Sequence, residues 1–174
     1  MLGRRWLCLG AVAALGGCGF QPVYMPTASG KTGAAQRELQ TVFVGIIPER
    51  PGQILRQALQ ERLGSDAGAP SQYELRVVYG IPAEGIAIQP NDIATRLRLT
   101  GRATWTLFAR DAKHTALITG SARAIDGINI FDAQYFAADL EVETVQKRLA
   151  QNLADQITTQ LAIWFRRQAE QQRG

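Results

Sequence analysis

The chain has 174 residues, of which 46% are hydrophobic and 20% are charged, so it is long enough and apolar enough to bury one core. This composition excludes collagen-like, coiled-coil and strongly disordered proteins. A mean hydropathy of -0.09 also excludes a protein with many membrane spans.

The first 17 residues have the pattern of a signal peptide. Arg4 and Arg5 precede an apolar run from residue 6 to 15, which is too short to cross a hydrocarbon core of ~30 Å. The run ends in Leu-Gly-Gly-Cys18, which resembles a lipobox, the motif whose cysteine sulfur accepts diacylglycerol. The resemblance implies a bacterial lipoprotein that begins at Cys18. The alternative is an ordinary secretory signal, with Cys18 a free thiol.

The cysteine count favours the lipoprotein. Cys8 lies inside the segment that would be removed, so an exported chain would keep one cysteine, an odd thiol in an oxidising compartment. A lipid on Cys18 resolves this and leaves no disulfide and no cysteine-based metal site. Cleavage also removes two basic residues, so nucleic-acid binding loses its main support. Gly19 resembles the residue after the cysteine in lipoproteins exported to the outer membrane. We therefore expect a lipid-anchored, periplasm-facing protein of that membrane.

The next segments predict a tether followed by a strand, a helix and a strand. Residues 18–40 show no sustained periodicity and read as a lipidated tether. The β-branched and aromatic run 41–47 favours a buried strand. After a break at Pro48 to Gly52, apolar residues at three- and four-residue steps predict a helix over 54–63, which Gly64 ends. The alternation over 73–79 predicts a second strand, parallel to the first because a right-handed crossover joins them.

Two long strands follow. Residues 85–89 are compatible with the second strand resumed after a bulge, and alternation is clearest over 93–110, which a turn connects to a returning strand over 115–131. If this turn centres on residues 112 and 113, Trp105 lies opposite Gly120, which gives that glycine a packing role.

A long helix over 134–168 completes the pattern, with an apolar stripe at Leu140, Val145, Leu149, Leu153, Ile157, Leu161, Trp164 and Phe165. The order predicts an α+β fold in which two helices pack on one face of a four-stranded mixed β-sheet (β-α-β-β-β-α). We expect one domain over 41–168 and a polar tail over 169–174. The other face of the sheet would be left uncovered.

That uncovered face is predicted to be basic. Arg96, Arg98 and Arg102 share one parity of the long strand, with spacings of ~6.6 Å and ~13 Å that would suit several phosphates. One interpretation is a solvated face partly paired with acids such as Glu74. The other is contact with an anionic glycolipid or with the acidic lining of a partner.

Catalysis has little support in the sequence. The single histidine, His114, falls at the predicted hairpin tip, and Cys18 would be blocked by lipid, so a nucleophilic triad cannot be assembled. Metal-ligand spacings and nucleotide-binding loops are lacking in the sequence, which predicts no metal and no cofactor. Carboxylates near strand ends are better explained as turn formers or caps than as an acid–base pair: Glu84, Asp92, Asp126 and Asp132. We expect a protein that is not an enzyme.

The whole chain resembles the LptE family of lipopolysaccharide-assembly lipoproteins. The order of elements carries the resemblance, together with Cys18-Gly19-Phe20, the 94–96 start of the long strand and the segment 132–136 that leads into the last helix. After Phe20 the chain departs from the more basic continuation of enterobacterial members.

The resemblance implies a non-enzymatic subunit that plugs the β-barrel of LptD, assists its assembly and binds lipopolysaccharide. The alternatives are an outer-membrane lipoprotein that binds peptidoglycan or acts as a periplasmic chaperone, and a lipoprotein enzyme acting on envelope glycans.

Overall fold

The computed structural model describes residues 33–65, 70–88, 94–129 and 135–172. The helices and strands, in chain order, are α1 Ala34–Gln40, β1 Val42–Val44, α2 Glu49–Leu63, β2 Tyr73–Gly80, β3 Ala83–Ile88, β4 Ala94–Ala109, β5 Ala116–Asn129 and α3 Tyr135–Gln171. The predicted signal peptide, Cys18 and most of the predicted tether lie outside the described residues.

Strand β4 is the centre of one mixed sheet. It pairs antiparallel with β5 along one edge, and with β2 and then β3 along the other edge, while β1 pairs parallel with β2. The α+β class and the parallel crossover are confirmed. The chain leaves β2 at Ile81 and Pro82, and the Thr100 N–H donates to the Pro82 carbonyl at 3.0 Å. The sheet has five strands, one more than predicted. Because β2 and β3 follow each other along the same edge of β4, it is still only four strands wide.

The core lies between the sheet and the helices. Alternate residues of β4 point into it, and Leu99, Ala103, Trp105 and Leu107 are buried. Helix α3 packs over this face, so that a side chain added at Gly101 would meet Leu153 at 3.1 Å. The predicted pairing of Trp105 with Gly120 is confirmed.

Helix α2 begins earlier than the sequence predicted. It starts at Glu49 and therefore includes Pro51 and Gly52, which were assigned to the break. Proline is compatible with the first turn of a helix because the N–H groups of that turn have no partner within the helix. A side chain at Gly52 would approach the Ile47 side chain to 2.7 Å, so close packing requires this glycine. The predicted end is confirmed, since Gly64 adopts a left-handed conformation with φ of 64°.

Helix α1 corrects the predicted extent of the tether. Residues 34–40, assigned to the tether, form a helix that packs against α3. Leu39 is only 1% exposed, and Ala35 is also buried. The segment has no clear helical periodicity of apolar residues. It is helical because burying these two side chains against the core stabilises it.

Helix α3 has 37 residues and follows the predicted stripe with one exception. Val145, Leu149, Leu153 and Ile157 are fully buried, whereas Leu140 is 70% exposed and lines a surface pocket beside α2. None of the helices in the described part of the chain combines the length and apolar composition needed to cross a bilayer.

Side chains from α3 cover the outer edge of β5. The Gln156 side chain accepts from the Arg123 N–H at 3.3 Å and donates to the Arg123 carbonyl at 3.0 Å. The Gln160 amide donates to the Ser121 carbonyl at 3.0 Å. Edge strands are prone to pair with other chains, and these glutamines occupy the groups that would do so. They also hold the backbone of Arg123 in place.

The ion pair between Asp126 and Arg148 predicts a loss of stability in acid. Burial raises the pKa of Asp126, but hydrogen bonds from Arg148 at 2.8 Å and from the Gly127 N–H at 2.8 Å outweigh it, so the pKa lies below its ordinary 3.8. A lowered pKa stabilises the fold above that ordinary value, and the contribution is lost as the pH falls through the folded-state pKa.

We therefore expect the free energy of unfolding to fall below pH 3.8, and less steeply in Asp126→Asn. Denaturant unfolding across this range measures both slopes. Arg148→Met should flatten the dependence as well, and equal slopes in all three proteins would contradict this assignment.

Candidate functional site

The face of the sheet opposite the helices is exposed and rich in arginine. Because burial alternates along β4, Arg96, Arg98 and Arg102 lie on this face and are exposed, as their shared parity predicts. Arg96 and Arg98 are two residues apart, or ~7 Å along the strand, and Arg102 follows ~13 Å further on. The three guanidinium groups therefore project from one strand to one side.

A fourth arginine joins them from the neighbouring strand. Arg123 of β5 pairs directly with Arg102 and is also exposed. Residues opposite each other in a sheet have Cβ atoms about 5 Å apart, and two like charges in such a pair are destabilising. We call Arg96, Arg98, Arg102 and Arg123 the basic face.

No ion pair neutralises the basic face within the described ranges of the chain. Glu84 lies opposite Arg98 in the pairing of β3 with β4, but it is not among the ion pairs of these ranges. The expected partial pairing with Glu74 involves a different arginine, since Glu74 binds Arg76 at 2.9 Å. The hydrogen bond from Arg76 lowers the pKa of Glu74, so this carboxylate is charged and already paired with Arg76.

The other arginines near this face contact aromatic rings. Arg76 lies 4.8 Å from the ring centre of Phe108, and Arg110 lies 5.5 Å from that of Phe43. Cation–π contacts of this kind hold a guanidinium at a fixed place. The arginines at this end of β4 thus have protein partners, which separates them from the basic face.

Apolar and hydroxyl groups border the basic face. Ile125 of β5 is 56% exposed and lies opposite Thr100, near Arg102 and Arg123. Val78 of β2 is 77% exposed and lies opposite Thr104. The hydroxyls of Thr106 and Thr119 lie 3.1 Å apart on the same face. The surface therefore offers cations, hydrogen-bonding groups and isolated apolar side chains together, a combination that suits an amphiphilic anion.

The other candidate residues of the sequence do not form a second polar cluster. Asp126 is held by Arg148, and His114 is exposed in the turn before β5 with φ of 46°. Asp92 and Asp132 lie outside the described residues. Across the described ranges, no three His, Cys, Asp or Glu side chains meet in a geometry that could hold a metal ion.

Arg123 is the member of the basic face that the sequence analysis did not single out. The information was available, because a strand pairing that sets Trp105 opposite Gly120 also sets Arg102 opposite Arg123. The parity of β5, with Ala122 and Ala124 buried, places Arg123 on the open face. Examining the register for both faces of the sheet would have found it.

Solved structures with the same fold are bacterial lipoproteins. A protein from Caulobacter crescentus described as a lipoprotein is 22% identical and covers 75% of this chain and 95% of its own, with a TM-score of 0.63. Rare lipoprotein B from Shewanella oneidensis is 11% identical and covers 70% of this chain and 91% of its own, with a TM-score of 0.52. A minor lipoprotein from Acinetobacter baumannii is 17% identical, with coverages of 71% and 92% and a TM-score of 0.51.

A search of curated proteins gave no match. The family model of LptE, described as lipopolysaccharide-assembly, matches residues 39–161, which include every strand and most of α3. The chain therefore belongs to the LptE lipopolysaccharide-assembly family.

Proposed function

We propose that this chain is a non-enzymatic, lipid-anchored subunit of outer-membrane lipopolysaccharide assembly, and that its basic face binds the phosphate groups of lipopolysaccharide. The observation that carries the proposal is the set of four exposed arginines on one sheet face, with Arg102 directly opposite Arg123. Family membership supports the general role in assembly.

An anionic ligand accounts for the arrangement of these charges. Two arginines facing each other lower the stability of a sheet unless an anion lies between them. Guanidinium groups bind phosphate through paired hydrogen bonds, so they suit this ligand better than a general positive surface would. The exposed Ile125 adds an apolar contact of the kind that the lipid part of an amphiphile can use.

The second part of the proposal is that the chain is seated inside the β-barrel of an LptD-like partner and assists its assembly. The lumen of such a barrel is polar, and a body placed there needs polar outer surfaces and covered strand edges. The basic face and the glutamine-covered edge of β5 meet these needs. A lipid on Cys18 would keep the body at the membrane.

Direct binding tests the ligand. The full-length protein in detergent is titrated with lipopolysaccharide and with the same lipopolysaccharide after enzymatic removal of its phosphates. We expect the dephosphorylated ligand to bind at least tenfold more weakly, and the difference to shrink as salt is raised. Equal affinity for the two ligands would reject phosphate recognition.

Co-purification tests the partner. The tagged protein is solubilised from outer membranes and the proteins that remain bound are identified by mass spectrometry. A heat-modifiable barrel at equal stoichiometry is the expected result. Binding to peptidoglycan sacculi without a barrel would instead favour the peptidoglycan-binding alternative.

The anchor gives a separate prediction. We expect an alkyne analogue of palmitate, supplied to growing cells, to label the wild-type protein and Cys8→Ala but not Cys18→Ala. Cys8 is the matched control because it is the only other cysteine and lies in the predicted signal peptide. Labelling is read by coupling to a fluorophore after purification. A mass spectrum showing an unmodified thiol at Cys18 would contradict the lipoprotein assignment.

A further inference from the structure

A pocket opens on the helix side of the sheet, at the end remote from the basic face. It has a volume of about 540 Å³ and lies where β2 begins, β4 ends and α3 approaches its C-terminus. Its lining includes Glu38 of α1, Tyr73 of β2, and Trp164 and Gln168 of α3. Five elements, α1, β2, β4, β5 and α3, therefore build one concave site that the proposed contact with lipopolysaccharide does not use.

Aromatic rings form one wall of this pocket. The ring centres of Trp164 and Phe165 are 4.9 Å apart and those of Tyr73 and Phe165 are 5.1 Å apart, both in edge-to-face geometry. Phe165 is 3% exposed, whereas Tyr73 and Trp164 are partly exposed. Phe165 thus supports the two rings that a ligand can reach. Ring faces attract cations, and tryptophan does so most strongly.

A carboxylate oxygen at the same pocket lacks a partner. The Oε2 atom of Glu38 is buried and receives no hydrogen bond within the described part of the chain. Burial comes first, and the nearby carboxylate of Glu38 adds to it, in raising the pKa of Tyr73, so the phenol stays protonated. A buried acceptor without a donor destabilises the protein, and more so when it is charged. The site is therefore incomplete in the free protein.

We propose that this pocket binds an arginine side chain of a partner polypeptide. A guanidinium group has a flat face for the partly exposed rings of Trp164 and Tyr73 and N–H donors for the Glu38 carboxylate. The amide of Gln168 offers a further acceptor on the lining. The negative charge of Glu38 beside an aromatic wall is complementary to a cationic side chain, and the planar guanidinium of arginine fits rings and carboxylate together. The proposal does not depend on the basic face.

The chain itself uses the same contact elsewhere. Arg76 over Phe108 and Arg110 over Phe43 show arginine packed on aromatic rings at this protein's own surface. Arg76 in addition binds a carboxylate, Glu74, so one guanidinium satisfies a ring and an acid together. Among the residues that the structure describes, the pocket at Trp164 has the rings and the acid in its lining but no arginine.

The test compares two peptides that differ in one side-chain group, the charged guanidinium of arginine and the neutral urea of citrulline. The full-length protein in detergent is titrated with acetyl-Gly-Arg-Gly-amide and with its citrulline counterpart, and the indole N–H signal of Trp164 is followed by NMR. We expect the arginine peptide to bind at least tenfold more tightly. Glu38→Gln, which keeps the shape of the side chain, should weaken the arginine peptide about tenfold or more, and Trp164→Leu should also weaken it.

Glu141→Gln is the matched control, because Glu141 is an exposed carboxylate on the same helix as Trp164 and is not in the pocket lining. It should bind the arginine peptide as the wild type does. Equal binding of the two peptides, no effect of Glu38→Gln, or no saturation at tens of millimolar would each overturn the proposal. So would vesicles of phosphatidylethanolamine that displace the peptide and bind through Glu38, since they would assign the pocket to a lipid amine.

Discussion

Replacing Trp105 with alanine is expected to lower the free energy of unfolding by about 3–5 kcal/mol, the largest change of any single substitution considered. Trp105 is 1% exposed at the centre of β4, and its removal leaves a cavity between the sheet and α3. Denaturant unfolding of the detergent-solubilised chain, followed by circular dichroism, measures the change. A loss below 1 kcal/mol would show that the core can collapse around this position.

Gly120 makes the same prediction more specific. A Cβ at Gly120 would lie 2.4 Å from the Trp105 ring, so Gly120→Ala should cost about 1–3 kcal/mol in the wild type. In Trp105→Ala the ring is gone, and the same substitution should cost less, because only the end of the flexible Gln160 side chain, with Oε1 at 2.9 Å, still has to move. Gly80→Ala is the control, because no atom lies within 4 Å of its added Cβ. Additive effects of the two core substitutions would contradict direct packing of Trp105 on Gly120.

The indole N–H gives a further discriminating variant. Nε1 of Trp105 is buried and has no hydrogen-bond partner among the described residues. Trp105→Phe removes this unsatisfied donor and keeps most of the apolar volume, so it should cost far less than Trp105→Ala. If the phenylalanine variant were as unstable as the alanine variant, a hydrogen bond to the indole would have to be inferred.

The second large effect concerns the basic face. The fourfold variant R96A/R98A/R102A/R123A is expected to bind lipopolysaccharide at least about a hundredfold more weakly, since charged hydrogen bonds contribute about 1.5–3 kcal/mol each and exposed ones less. Its stability should be unchanged or slightly higher, because the like-charged pair of Arg102 and Arg123 is removed. Equilibrium titration at low salt, with unfolding measured on the same samples, tests both statements.

Two control variants interpret the result. Arg167→Ala removes an exposed arginine from α3, outside the basic face, and should change the affinity by less than about twofold. Changing all four residues of the basic face to lysine keeps the charge and removes the paired hydrogen bonds, so affinity should fall to an intermediate value. An unchanged affinity of the alanine variant would reject the basic face as the ligand site and leave acidic residues of the barrel as its partner.

Some features of this fold have local causes, and others arise only from tertiary packing. The end of α2 at Gly64 and the pairing of Trp105 with Gly120 follow from local chemistry, a left-handed glycine in one case and a short turn in the other. Helix α1 was missed because it has only a few apolar residues and is stabilised by burying Leu39. Leu140 was assigned to the core because its apolar character does not reveal that it lies at the surface beside α2.

By itself, the sequence determined the α+β class, the parity that exposes Arg96, Arg98 and Arg102, and the lipobox-like pattern at Cys18 that predicts the anchor. Each of these features depends on the spacing of residue types within a continuous segment, such as a strand, a helix or a signal peptide. Only the tertiary structure decided that no carboxylate in the described ranges pairs with these arginines, and that Glu38 meets Trp164 in one pocket. Such contacts join segments that are far apart in the chain. They depend on how the elements pack together, which no local sequence pattern specifies.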